Sequence, residues 1–204
     1  MQFFRKATGH PSRLAILPGA FHPPTVAHMA LARAALRVAG EVLFVLPQSF
    51  PHKAYEGAPF ERRLEWLMLA TASEARCSIA ATDRGLFIDI ARACRAAYGE
   101  GVRLSFLCGT DAAERIVGWD YGDREKIADQ WKEYDLLVAD RAGAYRPPRQ
   151  YAAHIEALPL DGDYHEISAT EVRSRISAGL DWESLTPPEI VESVRDFFAR
   201  TQVR

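Results

Sequence analysis

The tightest constraint on this chain is a strand, a glycine turn and a helix start packed together near its beginning. Residues 14–17, Leu-Ala-Ile-Leu, read as a buried strand. Gly19-Ala20-Phe21-His22-Pro23-Pro24-Thr25-Val26-Ala27-His28 comes next. A helix is predicted over 26–39, with Ala27, Leu31, Ala34, Ala35 and Val38 on the face that packs on a sheet. Gly40 is read as its end, and 41–46, Glu-Val-Leu-Phe-Val-Leu, as a second buried strand. Two strands joined through a helix in so short a span form a parallel pair with a right-handed crossover.

The rest of the chain repeats the alternation. Residues 1–12 read as a loose lead-in and 47–59 as a loop. Helices are predicted over 64–72, 89–98, 123–131, 168–178 and 188–200, and strands over 77–81, 102–108, 135–139 and 154–160. This pattern gives an α/β fold: a Rossmann-like open, mostly parallel sheet with helices on both faces. Without repeats or a linker, residues 1–204 read as a single domain, to which the C-terminal helices at about 168–200 belong. Such sheets bind ligands beyond the carboxyl ends of their strands. The turn from Gly19 to His28, the stretch from Gly109 to Asp111, and Arg141 all fall there.

Composition narrows the class. The chain is 48% hydrophobic and 25% charged, as a soluble globular protein is. A formal net charge of -2 argues against a general nucleic-acid binder. Cys77, Cys94 and Cys108 form no CxxC pair, which supports neither a zinc site nor a disulfide framework, and Cys94 and Cys108 read as core packing. His22 and His28 flank a Pro-Pro turn with no third ligand nearby, so no protein-ligated metal is expected. No apolar run approaches membrane-spanning length and no leader-like segment opens the chain, so a cytoplasmic protein is expected. Homo-oligomerisation is left open.

Four constellations carry chemistry. Gly19 lets backbone approach a ligand, Pro23 and Pro24 hold the turn, and Thr25 sits at the N-cap. The third helical residue favours an acid, yet here it is His28. The positive end of the helix dipole disfavours imidazolium, so the position suits an imidazole that donates to a bound anion. The alternative is a helix whose third residue happens to be histidine. The second constellation is Ile167-Ser168-Ala169-Thr170-Glu171-Val172-Arg173. Ser168 with Glu171 fits a capping box, while Thr170 and Arg173 add donors that would cradle an anion. The third is Pro51-His52-Lys53, a loop whose lysine would reach phosphates or simply be solvated. The fourth is Phe106-Leu107-Cys108-Gly109-Thr110-Asp111, where Asp111 could equally cap a helix.

Together these motifs resemble the nucleotidyltransferases related to class I tRNA synthetases. That superfamily includes nicotinate and nicotinamide mononucleotide adenylyltransferases, phosphopantetheine adenylyltransferase and cytidylyltransferases. The first stretch is similar to its Gly-x-Phe-x-Pro-x-Thr/His-x-x-His signature, with His22 where Asp or Asn is usual, Thr25 for the first histidine and Ala27 for glycine. The stretch from Ile167 to Arg173 resembles the motif with which the pyridine-nucleotide branch grips the ATP triphosphate tail. Pro51-His52-Lys53 with downstream Arg63-Leu64 resembles bacterial nicotinate mononucleotide adenylyltransferases.

The resemblance implies transfer of AMP from ATP to a nicotinate or nicotinamide mononucleotide, with release of pyrophosphate. It implies catalytic roles for Thr25, His28 and Lys53. ATP would be held by Gly19, Ala20, Phe21, Thr25, His28, Gly109, Asp111, Ser168, Thr170 and Arg173, with Mg²⁺ bridging phosphates. In that scheme Gly109 lets adenosine approach and Asp111 accepts from ribose hydroxyls. Lys53, Arg63 and Trp119 would lie on the acceptor side, Trp119 as the ring over the pyridine. The apolar stretch at 86–88, Leu-Phe-Ile, replaces the polar wall of bacterial relatives. Two other readings remain: a sister enzyme using phosphopantetheine or a polyol phosphate, and a non-catalytic nucleotide-binding protein.

Overall fold

The computed structural model describes residues 1–48, 57–83, 85–119, 126–139 and 145–201. In chain order the elements are β1 (Gln2–Arg5), β2 (Arg13–Pro18), α1 (Val26–Ala35), β3 (Glu41–Pro47), α2 (Phe60–Ala70), β4 (Cys77–Thr82) and α3 (Phe87–Tyr98). There follow β5 (Arg103–Gly109), α4 (Thr110–Gly118), α5 (Ile127–Gln130), β6 (Asp135–Ala139), β7 (Ile155–Leu158), α6 (Ala169–Ala178) and α7 (Val191–Thr201). The strands join in one sheet in the order β1-β4-β3-β2-β5-β6-β7. Every neighbouring pair is parallel except β1 with β4. This is the open, Rossmann-like α/β sheet that the alternation predicts.

Strand order reverses where β2 lies between β3 and β5. Chain leaving β2 and chain leaving β5 therefore diverge, and the crevice between them is where such sheets hold ligands. The Gly19 turn follows β2 and Gly109 ends β5, so both motifs open on that crevice.

The central strands are buried on both faces, which is why they read as unbroken apolar runs. Ala15, Leu17, Val42, Phe44 and Leu46 point to the side covered by Met29, Leu31 and Ala35 of α1 and Leu67 of α2. Leu14, Ile16, Leu43 and Val45 point to the other side, with Ile90 and Cys94 of α3 and Phe106 of β5. A third cluster, Trp66, Val172, Trp182, Ile190 and Val194, binds α6 and α7 to α2. All three cysteines are buried and reduced, and burial pushes each thiol up to about 12.

Several local expectations need correction. The lead-in is not loose: Gln2–Arg5 forms β1. Its consecutive phenylalanines serve opposite faces, Phe3 packing edge-on against Tyr98 and Phe4 against Phe60. Helix α1 stops at Ala35, and Val38, expected on its buried face, is 41% exposed. Gly40 is there for a close approach: its N–H donates to the Arg13 carbonyl at 3.0 Å, and a Cβ would lie 3.1 Å from that of Pro11. The region beyond Asp111 forms α4, with Ala113 its buried residue. Of the helix predicted over 123–131, the described part is α5 and the turn after it, and 120–125 lie outside the described residues. No described helix is long and apolar enough to cross a membrane.

Candidate active site

The Gly19 turn is shaped by Phe21. This residue has φ 50, a left-handed conformation that costs a bulky side chain about 1–3 kcal/mol. Its ring folds back over Gly19, where a Cβ would lie 3.0 Å from the ring Cζ. The ring is buried edge-on against His28, centroids 5.2 Å apart, and against Phe44 at 5.7 Å. Phe21 thus supports the imidazole from behind. Gly19 itself donates to the Val45 carbonyl at 3.1 Å, tying the turn to β3.

Thr25 caps α1 as predicted, its hydroxyl accepting from the His28 N–H at 3.4 Å. The return bond of a capping box normally comes from an acid. Here His28 Nδ1 accepts the Thr25 backbone N–H at 3.0 Å, with the Thr25 hydroxyl 2.8 Å from the same nitrogen. An Nδ1 that accepts fixes the tautomer, and the ring proton of the neutral imidazole resides on Nε2. The cap thereby leaves Nε2 as the donor of the neutral ring at the start of the helix.

Ser168 caps α6, accepting from the Glu171 N–H at 3.0 Å. The box is only half built, because Glu171 pairs with Arg175 at 2.7 Å instead of returning to the cap. Arg173 carries the important geometry. Its Nη1 donates to the His22 carbonyl at 2.7 Å and to the Ala169 carbonyl at 3.0 Å, while Nη2 donates to the Thr170 hydroxyl at 3.2 Å. One guanidinium therefore ties the α6 start to the Gly19 turn, two motifs far apart in sequence.

Arg63 is buried, 2% exposed. It donates to the carbonyls of Ala58 at 3.2 Å, Ala20 at 3.1 Å and Pro47 at 3.4 Å. Pro47 and Ala58 flank the stretch that contains Lys53, so Arg63 fastens both of its described flanks to the Gly19 turn. This inward placement departs from the acceptor-side position expected for it. Pro51, His52 and Lys53 lie outside the described residues, as does Arg141.

His22 is the residue that sequence reasoning left without a role. It is 7% exposed, its ring nearly parallel to those of Trp66 and Phe198, with centroids 6.3 and 5.7 Å away. Its Nε2 accepts the Ala58 N–H at 3.1 Å. Burial, then the charges of Arg173 and Arg63, lower its pKa to about 4, so the ring is neutral. Nothing local in the sequence signals a contact between His22 and α7.

At the end of β5, Gly109 occupies the N-cap of α4 without a side-chain bond, and Asp111 stands in the first turn. The capping alternative for Asp111 is therefore not realised. Trp119 ends α4 and is 63% exposed, not a core residue. With Asp111, Glu114, Arg115 and Gly118 it lines an open hollow of about 460 Å³. Among the described residues no group of three or more His, Cys, Asp or Glu could hold a metal ion.

A strand-turn-helix start at the switch point, joined by an arginine to a second helix start, is the arrangement in which α/β sheets receive nucleotides. The cytidylyltransferase-like family matches residues 16–175, and the chain belongs to that family. It is a nucleotidyltransferase. A probable nicotinate-nucleotide adenylyltransferase of Gloeobacter violaceus is 31% identical over 198 residues, covering 89% of this chain and 93% of the relative. One of Bordetella pertussis is 31% identical over 191 residues, covering 88% and 93%. Among solved structures, a Plasmodium falciparum nicotinic acid mononucleotide adenylyltransferase complexed with NaAD shares the fold. Its TM-score is 0.66 at 17% identity, over 93% of this chain and 95% of that one.

Proposed function

We propose that this nucleotidyltransferase transfers AMP from ATP to nicotinate mononucleotide. An acceptor phosphate oxygen attacks the ATP α-phosphorus in line, the bond to the β-phosphate bridging oxygen breaks, and pyrophosphate leaves. The acceptor phosphate is already ionised, so positioning and charge stabilisation provide the acceleration. Residues 1–204 act as one unit in this reading, with α6 and α7 completing the ATP site.

The observation that carries the reading is the Arg173 tie between the Thr25–His28 helix start and the Ser168 helix start. Two helix N-termini held side by side suit the successive phosphates of a triphosphate. His28 Nε2–H would donate to an α- or β-phosphate oxygen as charge moves toward the leaving group. Ser168, Thr170 and Arg173 would hold the tail, and Lys53 would add positive charge. Mg²⁺ would enter as part of the nucleotide substrate, held by phosphate oxygens. Gly109 and Asp111 would receive the adenosine.

Nicotinate is favoured over nicotinamide by the names of the curated relatives. Trp119 would stack on the pyridine, an interaction worth about 1 kcal/mol beyond area burial. Trp119→Ala should therefore raise the KM for the acceptor more than that for ATP, measured by steady-state kinetics.

The decisive experiment is a pyrophosphate-release screen with ATP, Mg²⁺ and candidate acceptors. Release with nicotinate mononucleotide, with formation of the dinucleotide, supports the reading. Turnover only with phosphopantetheine or a polyol phosphate assigns a sister activity, and orthophosphate alone assigns hydrolysis; either overturns it.

A further inference from the structure

We infer that His22 is a positioning residue for nucleotide binding: its ring nitrogen, by accepting the Ala58 N–H, holds the described flank of the stretch that contains Lys53 against the phosphate-facing turn. The inference rests on the triphosphate reading of the turn. Three observations carry it. The Ala58 N–H, in a residue with no exposed surface, donates to His22 Nε2 at 3.1 Å. The His22 ring lies nearly parallel to Trp66 and to Phe198, with interplanar angles of 6° and 12°, and edge-on to Phe197 at 81°. The His22 carbonyl receives Arg173 at 2.7 Å. One residue therefore touches the turn, the end of the loop, α2, α7 and the arginine of the second motif.

The chemistry asks for this residue type. The position needs an acceptor, because the buried Ala58 N–H would otherwise be unsatisfied. It also suits a flat ring that packs beside an indole and a phenyl ring. Neutral imidazole meets both demands. Phenylalanine would keep the stack and remove the acceptor, whereas glutamine would keep an acceptor and remove the ring. The pair separates local positioning from simple filling of the core.

The test uses the full chain as His22→Phe and His22→Gln, each first checked for native circular dichroism. Hydrogen exchange of the segment containing Ala58 is read in the absence of nucleotide, and MgATP affinity by calorimetry. His22→Phe should speed exchange at that segment and weaken MgATP binding about tenfold, the scale of one buried hydrogen bond. His22→Gln should bring both readings back to within about threefold of the parent, because it restores the acceptor. Parent-like exchange and affinity in His22→Phe would overturn the inference, as would equal losses in the two variants. Neither measurement requires turnover, so a wrong acceptor assignment would leave this test intact. A parent protein that does not bind MgATP would instead refute the underlying triphosphate reading.

Discussion

His28 is held by its own helix cap. Because Nδ1 accepts from the Thr25 N–H, removing the imidazole removes a donor from Nε2 and half of a capping box at once. His28→Ala should lower turnover about a hundredfold, as loss of a preorganised donor does. It should also cost about 1 kcal/mol of stability, as loss of a helix cap does. Pyrophosphate-release kinetics and thermal melts of the variant check the two parts. An unchanged melting temperature would mean that the backbone finds another partner. Reading the third helical residue as merely unfavourable for histidine misses the cap that Nδ1 completes. The sequence shows His28 in place of an acid, but the direction of Nδ1 is set by its contacts with the Thr25 N–H and hydroxyl. The same limit applies to Arg63, whose place beside a family-like leucine suggests a ligand contact. Its burial and its three carbonyl partners depend on how the loop ends converge, which no local pattern encodes.

At the scale of elements, strands β2 to β7 and the two capped helix starts were legible because each carries a local signal: an apolar run, a glycine turn, or a Thr or Ser before a helix. What joins them was not. Arg173 reads locally as a donor at a helix start, and the structure adds its bond to the His22 carbonyl. Arg173→Ala should weaken ATP binding far more than AMP binding, because only ATP carries the outer phosphates. Isothermal titration with both ligands checks this, and equal losses would assign the arginine to holding α6 alone. Arg173→Lys should recover little, since a single ammonium cannot bridge the carbonyls and the Thr170 hydroxyl as the planar fork does. Helix α4 and strand β1 escaped sequence reading for different reasons. Helix α4 follows a Gly-Thr-Asp stretch that reads as a ligand motif and has Ala113 as its buried residue, while β1 offers only two adjacent phenylalanines.

For the whole molecule, the buried His22 makes stability depend on acidity. Its folded pKa of about 4 lies below the ordinary 6.5, so the unfolded chain takes up the proton first. The contribution of the neutral ring is complete above the ordinary value and is lost as pH falls from there toward the folded value. Integrated over that window it amounts to about 3 kcal/mol at most. The groups facing the ring, Arg173 and Arg63, remain charged throughout, so they keep opposing the proton. Melting curves between pH 7 and 4 should fall less steeply in His22→Gln than in the parent, and parallel curves would assign the acid sensitivity to other groups.

Strand β1 has a different consequence. It is the only antiparallel member among the described strands, and it lies along β4, whose residues are all buried. Shorn of residues 1–5, the sheet would present the backbone N–H and C=O row of an apolar strand to solvent, an open template for a second copy of the chain. Light scattering of that truncated protein should rise with concentration and time, while the parent stays clear. With that outcome, β1 is a selvedge, keeping the molecule from being woven into its neighbours through β4.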